Sequence, residues 1–276
     1  MNPIAVITGG GRGIGRTFAL ALAKAGAKVV VTGRTQASLD ETIALVQSQG
    51  GEAIGIACDV ADPKSVGRAF EQIHAQCGRV DVLVNNAGVN TAVETMWQVD
   101  PDLWWREVEI NLRGCFLSAR AVLPDMTARR SGRLIHIASH AGVFRWPYCS
   151  AYSVSKAALI KMSENLAFET RKHNVASFAF HPGFVKGGLA DNIPKLMPAP
   201  ETPAGKVYAW VQQELASPRA VTPEQSAVGV VKLASGRYDA LTGRYLTVHD
   251  DLDALLAQAD SIQKQDALTL RLKEPS

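Results

Sequence analysis

The chain has 276 residues, 47% of them hydrophobic and 20% charged, with a formal net charge of +3 at pH 7. That balance suits one large globular domain with a sizeable core, and it is too weak a charge to argue for a nucleic-acid or membrane partner. Cys58, Cys77, Cys115 and Cys149 lie far apart with no CxxC pair, which points away from a disulfide framework or a zinc site and towards a reducing, cytoplasmic compartment.

In chain order, short apolar runs alternate with longer amphipathic ones. The N-terminus enters a strand pattern (IAVIT, residues 4–8) almost at once, with no secretory signal. A glycine-rich turn and a helix over about 14–25 follow, then a second strand at 27–33, a helix at 36–49 and a third strand at 52–60. Asp62-Pro63 reads as a cap and first-turn proline for the next helix. VDVLVNNAG, from Val80, is a fourth strand with its exit loop. Asp100-Pro101 opens a long helix to about Leu123, and 132–139 is a fifth strand. The cluster Arg129, Arg130 and Arg133 reads as a solvated turn between them. A helix from Ser150 to about Lys172 precedes a sixth strand (VASFAFHPG). Thr222-Pro223-Glu224 caps a last core helix, and GRYLTVH is a seventh strand.

Strands that are apolar almost without interruption are buried on both faces, as in a parallel sheet flanked by helices. The expected fold is α/β: one Rossmann-type doubly wound sheet of about seven strands over 1–276. Residues 184–218 break the regularity with five prolines, although Val207, Trp210, Val211 and Leu215 fit one face of a short helix; an irregular stretch there suits a substrate lid.

Ligands of such sheets sit at the carboxyl ends of the strands. The first strand ends in TGGGRGIG, with Gly9, Gly13 and Gly15 departing from strict GxGxxG spacing but keeping its logic: a tight turn, then a helix whose free N–H groups favour a pyrophosphate. The second strand ends in Thr32-Gly33-Arg34, where an acidic residue would favour a free ribose 2′-hydroxyl. Arg34, aided by Arg12, points to the 2′-phosphate of NADP(H), with NAD(H) the alternative. Asp59 is placed to reach the adenine. Further on, Tyr152 and Lys156 stand one helical turn apart, so a lysine cation can meet a phenol and lower its pKa.

In this order the motifs resemble those of the short-chain dehydrogenase/reductase family, from Ile4 to about Val248. The matching segments are TGGGRGIG, NNAG (85–88), Asn111 in EINLRG, Ser139 in IASHAG, the Tyr152–Lys156 pair and HPG (181–183). The resemblance implies catalytic roles. Tyr152 exchanges the proton, Lys156 tunes it and holds the nicotinamide ribose, Ser139 donates to the substrate oxygen, and Asn111 kinks its helix and holds a water linked to Lys156. Cofactor contacts are expected from Gly9, Arg12, Gly13, Ile14, Gly15, Arg34, Asp59 and Val60, then Asn86, Ala87, Gly88, Tyr152, Lys156, Pro182, Gly183 and Val185, with no metal. The reaction implied is hydride transfer between NADP(H) and an apolar or cyclic ketone or secondary alcohol. A non-catalytic nucleotide sensor is the alternative from another class. A homo-tetramer or dimer through the two long helices is expected. Gly187 stands where the family often has threonine, so a backbone group such as that of Val185 would serve the nicotinamide amide. The extension at 250–276 carries a stripe of Leu252, Leu255, Leu256, Ala259 and Ile262, expected to pack over a neighbouring subunit or its active site.

Other residues have plainer readings. Ser139 and His140 are adjacent at a strand end and point apart, so they do not make a hydrolase pair. His249, Asp250, Asp251 and Asp253 suit a helix cap better than a metal site. Trp97, Trp104 and Trp105 are expected to pack in the core or in a helix–helix interface, whereas Phe144, Trp146, Pro147 and Tyr148 are expected to edge the substrate pocket.

Overall fold

The computed structural model describes residues 2–186 and 199–272. The strands are β1 (Ile4–Thr8), β2 (Lys28–Gly33), β3 (Ala53–Ala57), β4 (Val82–Asn85), β5 (Gly132–Ile137), β6 (Val175–His181), β7 (Phe184–Val185), β8 (Ala220–Val221) and β9 (Tyr245–Thr247). Seven of them form one parallel sheet in the order β3-β2-β1-β4-β5-β6-β9. The short parallel pair β7 and β8 stands apart. The order reverses between β1 and β4, which makes the switch point where such sheets bind ligands.

The unbroken apolar strands divide their side chains between two cores. Ile7, Val84 and Ile135 pack with Phe18 of α1 (Gly13–Lys24), Leu39 of α2 (Gln36–Ser48) and Val230 of α8 (Pro223–Ala234). Val6, Leu83 and Leu134, one residue earlier on the same strands, face Phe70 of α3 (Pro63–Cys77), Met126 of α5 (Gly114–Ala128) and Leu166 of α6 (Ser150–Thr170). Caps anticipated from the sequence form: the Asp62 carboxylate accepts from the Lys64 N–H, and Thr222 and Gln225 make a reciprocal capping box.

Four expectations change. The long helix runs past Leu123 to Ala128, and it is split between α4 (Pro101–Val108) and α5 by a π-helical turn at Glu109–Arg113. The arginine cluster is more than a solvated turn: Arg129 bonds Asp81 and Asp125 at 2.9 Å each, and Arg133 grips Asp239 bidentately at 2.9 and 2.7 Å. Trp97 and Trp105 are 83% and 62% exposed, leaving only Trp104 packed, its indole N–H donating to Ser150. The C-terminal stripe is satisfied within the chain. Leu252 of α9 (Leu252–Ala257) and Ala259 and Ile262 of α10 (Ala259–Lys264) join the core on the α1 and α8 side, and Arg271 clasps Glu164 of α6. Asp251 caps α9 by accepting from Asp253 and Ala254. Of the expected lid, 187–198 lies outside the described residues, Gly187 included. Its later part is α7 (Pro203–Ala216), whose Val207, Trp210, Val211 and Leu215 pack as one face.

Candidate active site

A cleft of about 620 Å³ opens at the carboxyl ends of the strands, and every expected cofactor contact borders it, as does Ser139. Its floor is built for a phosphate. Gly9 has φ +66, a left-handed conformation that L side chains rarely adopt, and a Cβ on Gly15 would collide with the Gly9 carbonyl oxygen. These glycines let the loop fold tightly between the start of the next helix and Asn86. Arg12 precedes α1 without capping it, and the first turn carries no acid, so the helix N-terminus keeps its N–H groups for an anion. The residues present therefore fit a dinucleotide pyrophosphate.

Arg12 and Arg34 are both exposed at the rim, and neither pairs with a carboxylate among the described residues. Ser38, which the sequence reading passed over, lines the same corner. Asp59 is less free than expected: one oxygen accepts from the Ala61 N–H at 3.0 Å, and the other pairs with Arg106 at 3.0 Å. Val60 is buried against Gly114, where a Cβ would come within 2.8 Å of it.

The loop leaving β4 is tied from two sides. The Thr8 hydroxyl, also missed from sequence, accepts the N–H groups of Asn86 and Ala87 at 3.0 Å each, and the Asn86 amide donates to the Thr8 carbonyl at 2.9 Å. From the other side Asn111, buried in the π-turn behind the cleft, accepts from the Val89 N–H and donates to the Val89 carbonyl, both at 2.8 Å. It donates also to Ser155 at 3.2 Å. Asn85 sits deeper, donating to the Cys115 carbonyl at 3.2 Å and to His136 Nδ1 at 3.1 Å.

Tyr152 and Lys156 leave the same face of α6, with the Lys156 Nζ 5.5 Å from the Tyr152 ring centroid. Lys156 is 3% exposed and donates to the Ile137 carbonyl at 2.7 Å. The expected lowering of Tyr152 by this cation is not what governs the phenol. Burial pushes it up to about 12, against a hydrogen bond with Ser139 that acts downward, and nearby Glu107 and Cys149 push further up. Burial likewise holds the Lys156 pKa below the ordinary lysine value, while its ammonium donates to the Ile137 carbonyl. Ser139, two residues beyond β5, caps the short turn His140–Gly142 by accepting from Ala141 at 3.1 Å. His140 instead stacks with His181 and Phe144 at 4.3 and 5.3 Å between centroids.

Beside Tyr152 stands an aromatic box. Trp146 lies nearly parallel to Tyr152 (6.1 Å) and to Phe184 (5.8 Å), and Trp210 of α7 meets it edge-on at 4.7 Å. Trp146 thus fulfils the expected pocket edge, whereas Phe144 is mostly exposed; Trp210 was expected only on the apolar face of a short helix, and Phe184 only within the lid stretch. Gly183 turns with φ +88, and Val185 pairs with Val221 at the cleft wall.

With this geometry established, the comparisons with known proteins are specific. The sequence profile of the short chain dehydrogenase family matches residues 3–197. A short chain dehydrogenase of Pseudocercospora fijiensis is 34% identical over 259 residues, covering 93% of this chain and 83% of that protein. The 3-oxoacyl-[acyl-carrier-protein] reductase of Synechocystis sp. is 36% identical over 191 residues, 69% of this chain and 77% of that protein. Among solved structures, a single-site variant of actinorhodin polyketide ketoreductase with NADPH superposes with a TM-score of 0.82 at 29% identity, over 90% of this chain and 95% of that one.

Proposed function

The chain belongs to the short-chain dehydrogenase family and is an NAD(P)-dependent oxidoreductase acting on small molecules, and on that premise we propose that it reduces a planar, largely apolar ketone to a secondary alcohol with NADPH. The observation that carries the reading is the Tyr152 phenol, held at the cleft beside Ser139 and under the aromatic box.

Gly13, Gly15, Arg34 and Gly183 at the cleft would hold a nicotinamide dinucleotide, which would supply the hydride. Everything else falls to the chain's own side chains. Ser139 donates a hydrogen bond to the substrate oxygen, where negative charge builds as the carbonyl is reduced. Tyr152 then gives that oxygen its proton. A phenol pushed up to about 12 stays protonated near neutrality, so the proton is in place to be given. Lys156 supplies positive charge beneath the phenol, and Asn111 fixes the Val89 backbone that borders the cleft. Trp146, Phe184 and Trp210 offer ring faces and edges that suit a cyclic or aryl substrate.

Arg34 and Arg12, free of carboxylate partners among the described residues, support NADPH over NADH. The actinorhodin ketoreductase with NADPH supports the same choice. Four unpaired cysteines support a reducing, cytoplasmic setting, and no helix among the described residues is long and apolar enough to cross a membrane. We assign a homo-oligomer built through α4, α5 and α6.

The test is Tyr152→Phe against a panel of ketones, followed by nicotinamide absorbance. Turnover should fall at least about 100-fold while NADPH still binds. Substantial residual turnover would remove Tyr152 as the acid. Cofactor binding by the native protein with no turnover on any ketone or alcohol would favour a sensor.

A further inference from the structure

Glu107 is a carboxylate in an unexpected place. It belongs to an exposed-looking run, WWREVE, yet it is 1% exposed. One of its oxygens accepts three hydrogen bonds, from the Thr91 N–H (2.5 Å), the Ala92 N–H (2.8 Å) and the Thr91 hydroxyl (3.1 Å). Its other oxygen is buried without a partner. Asn111, four residues later and within the π-turn, holds Val89 by both of its peptide groups. The two side chains thus staple opposite ends of Val89–Ala92, a stretch with no strand or helix of its own to satisfy its backbone. Between the staples Val89 and Asn90 line the cleft. No lysine or arginine among the described residues makes an ion pair with Glu107. The titratable groups facing it come from α6 and the residue before it: Lys156, Tyr152 and Cys149.

We propose that Glu107 is a positioning residue for the reaction: it fixes the Thr91–Ala92 backbone so that Val89 and Asn90 keep their place in the cleft. The inference stands whether or not Tyr152 is the acid. Burial holds the Glu107 carboxyl above the ordinary glutamate range, while the three donors favour its charged form.

The experiment compares Glu107→Gln with Glu107→Ala in the full chain. Alanine should raise KM for the ketone and lower kcat, each by roughly tenfold, since two backbone donors lose their acceptor. Glutamine keeps an acceptor oxygen and should recover most of the KM lost in alanine. Thr91→Val, which removes only the hydroxyl bond, should give a small rise in KM, and it carries the staple's test if alanine disrupts folding. Unchanged KM in both Glu107→Ala and Thr91→Val overturns the staple, as does a glutamine variant no better than alanine. Tyr152→Phe keeps the two readings apart: if it retains turnover, Tyr152 fails as the acid, and the staple is judged on KM of the Glu107 and Thr91 variants alone.

Discussion

Tyr152 and Arg34 were both readable as chemistry from their neighbours in sequence, but the phenol does not behave as its spacing alone suggests. The distance from Tyr152 to Lys156 along a helix guarantees that the side chains meet; it carries no information about burial, which sets the phenol's acidity here. Arg34 is exposed at a strand end on the rim of the cleft. Arg34→Asp should lower the NADPH-to-NADH ratio of kcat/KM by about 10- to 100-fold, the worth of one or two charge-assisted hydrogen bonds. An unchanged ratio would discredit the 2′-phosphate contact. Glu107 was illegible for the opposite reason. A glutamate on an amphipathic helix reads as surface, and its donors, Thr91 and Ala92, belong to a loop whose path the sequence does not encode. The ion pairs of Arg129 with Asp81 and of Arg133 with Asp239 span 48 and 106 residues, beyond any local pattern.

Strands and helices were legible wherever periodicity is strong, and β1, α1, β2 and α2 fall within a residue or two of their expected bounds. Interruptions were not: the π-turn has no residue signature of its own, and the tryptophans of 97–105 read as core because size and hydropathy say nothing about which neighbour covers them. The aromatic box is assembled from a loop (Trp146), a two-residue strand (Phe184) and a helix (Trp210), so no single element announces it. Trp146→Ala should raise KM for aryl and cyclic ketones by roughly tenfold, while small acyclic ketones lose much less. Equal losses for both classes would argue that Trp146 supports the fold of the wall and does not meet the substrate.

At the scale of the molecule, two properties follow from side chains on or under the surface. Phe116 of α5, Val154 and Phe168 of α6 and Trp105 of α4 are 47–67% exposed, an apolar set on the helices proposed above as the assembly surface. Light scattering should find a dimer or tetramer, and Phe116→Glu with Phe168→Glu should weaken it; a monomer would contradict the assignment. Inside, burial pushes His136 down to about 4 and His181 down to about 3, so both are neutral in the folded chain at neutral pH. An unfolded histidine titrates near 6.5. Between these values the unfolded chain binds more protons, so the stability is fully present above about pH 6.5 and is lost as pH falls through 6.5 to 4 and below. Urea unfolding at pH 5 should return roughly 2 kcal/mol less per histidine than at pH 7. His136→Asn should flatten that slope, and a pH-independent difference would refute the assignment.

The π-turn at Glu109–Arg113 amounts to an α-helix carrying one residue more than its hydrogen-bond ladder needs. Each residue turns a helix by about 100°. Deleting Ile110 would let α4 and α5 merge into one regular rod and swing everything upstream of the deletion by about that angle, taking Glu107 away from Thr91 while Asn111 stayed by Val89. In this segment single-residue deletions are therefore a rotation of one half of the helix against the other, and a library of shortened chains would reveal how much of the chemistry depends on angular phase alone.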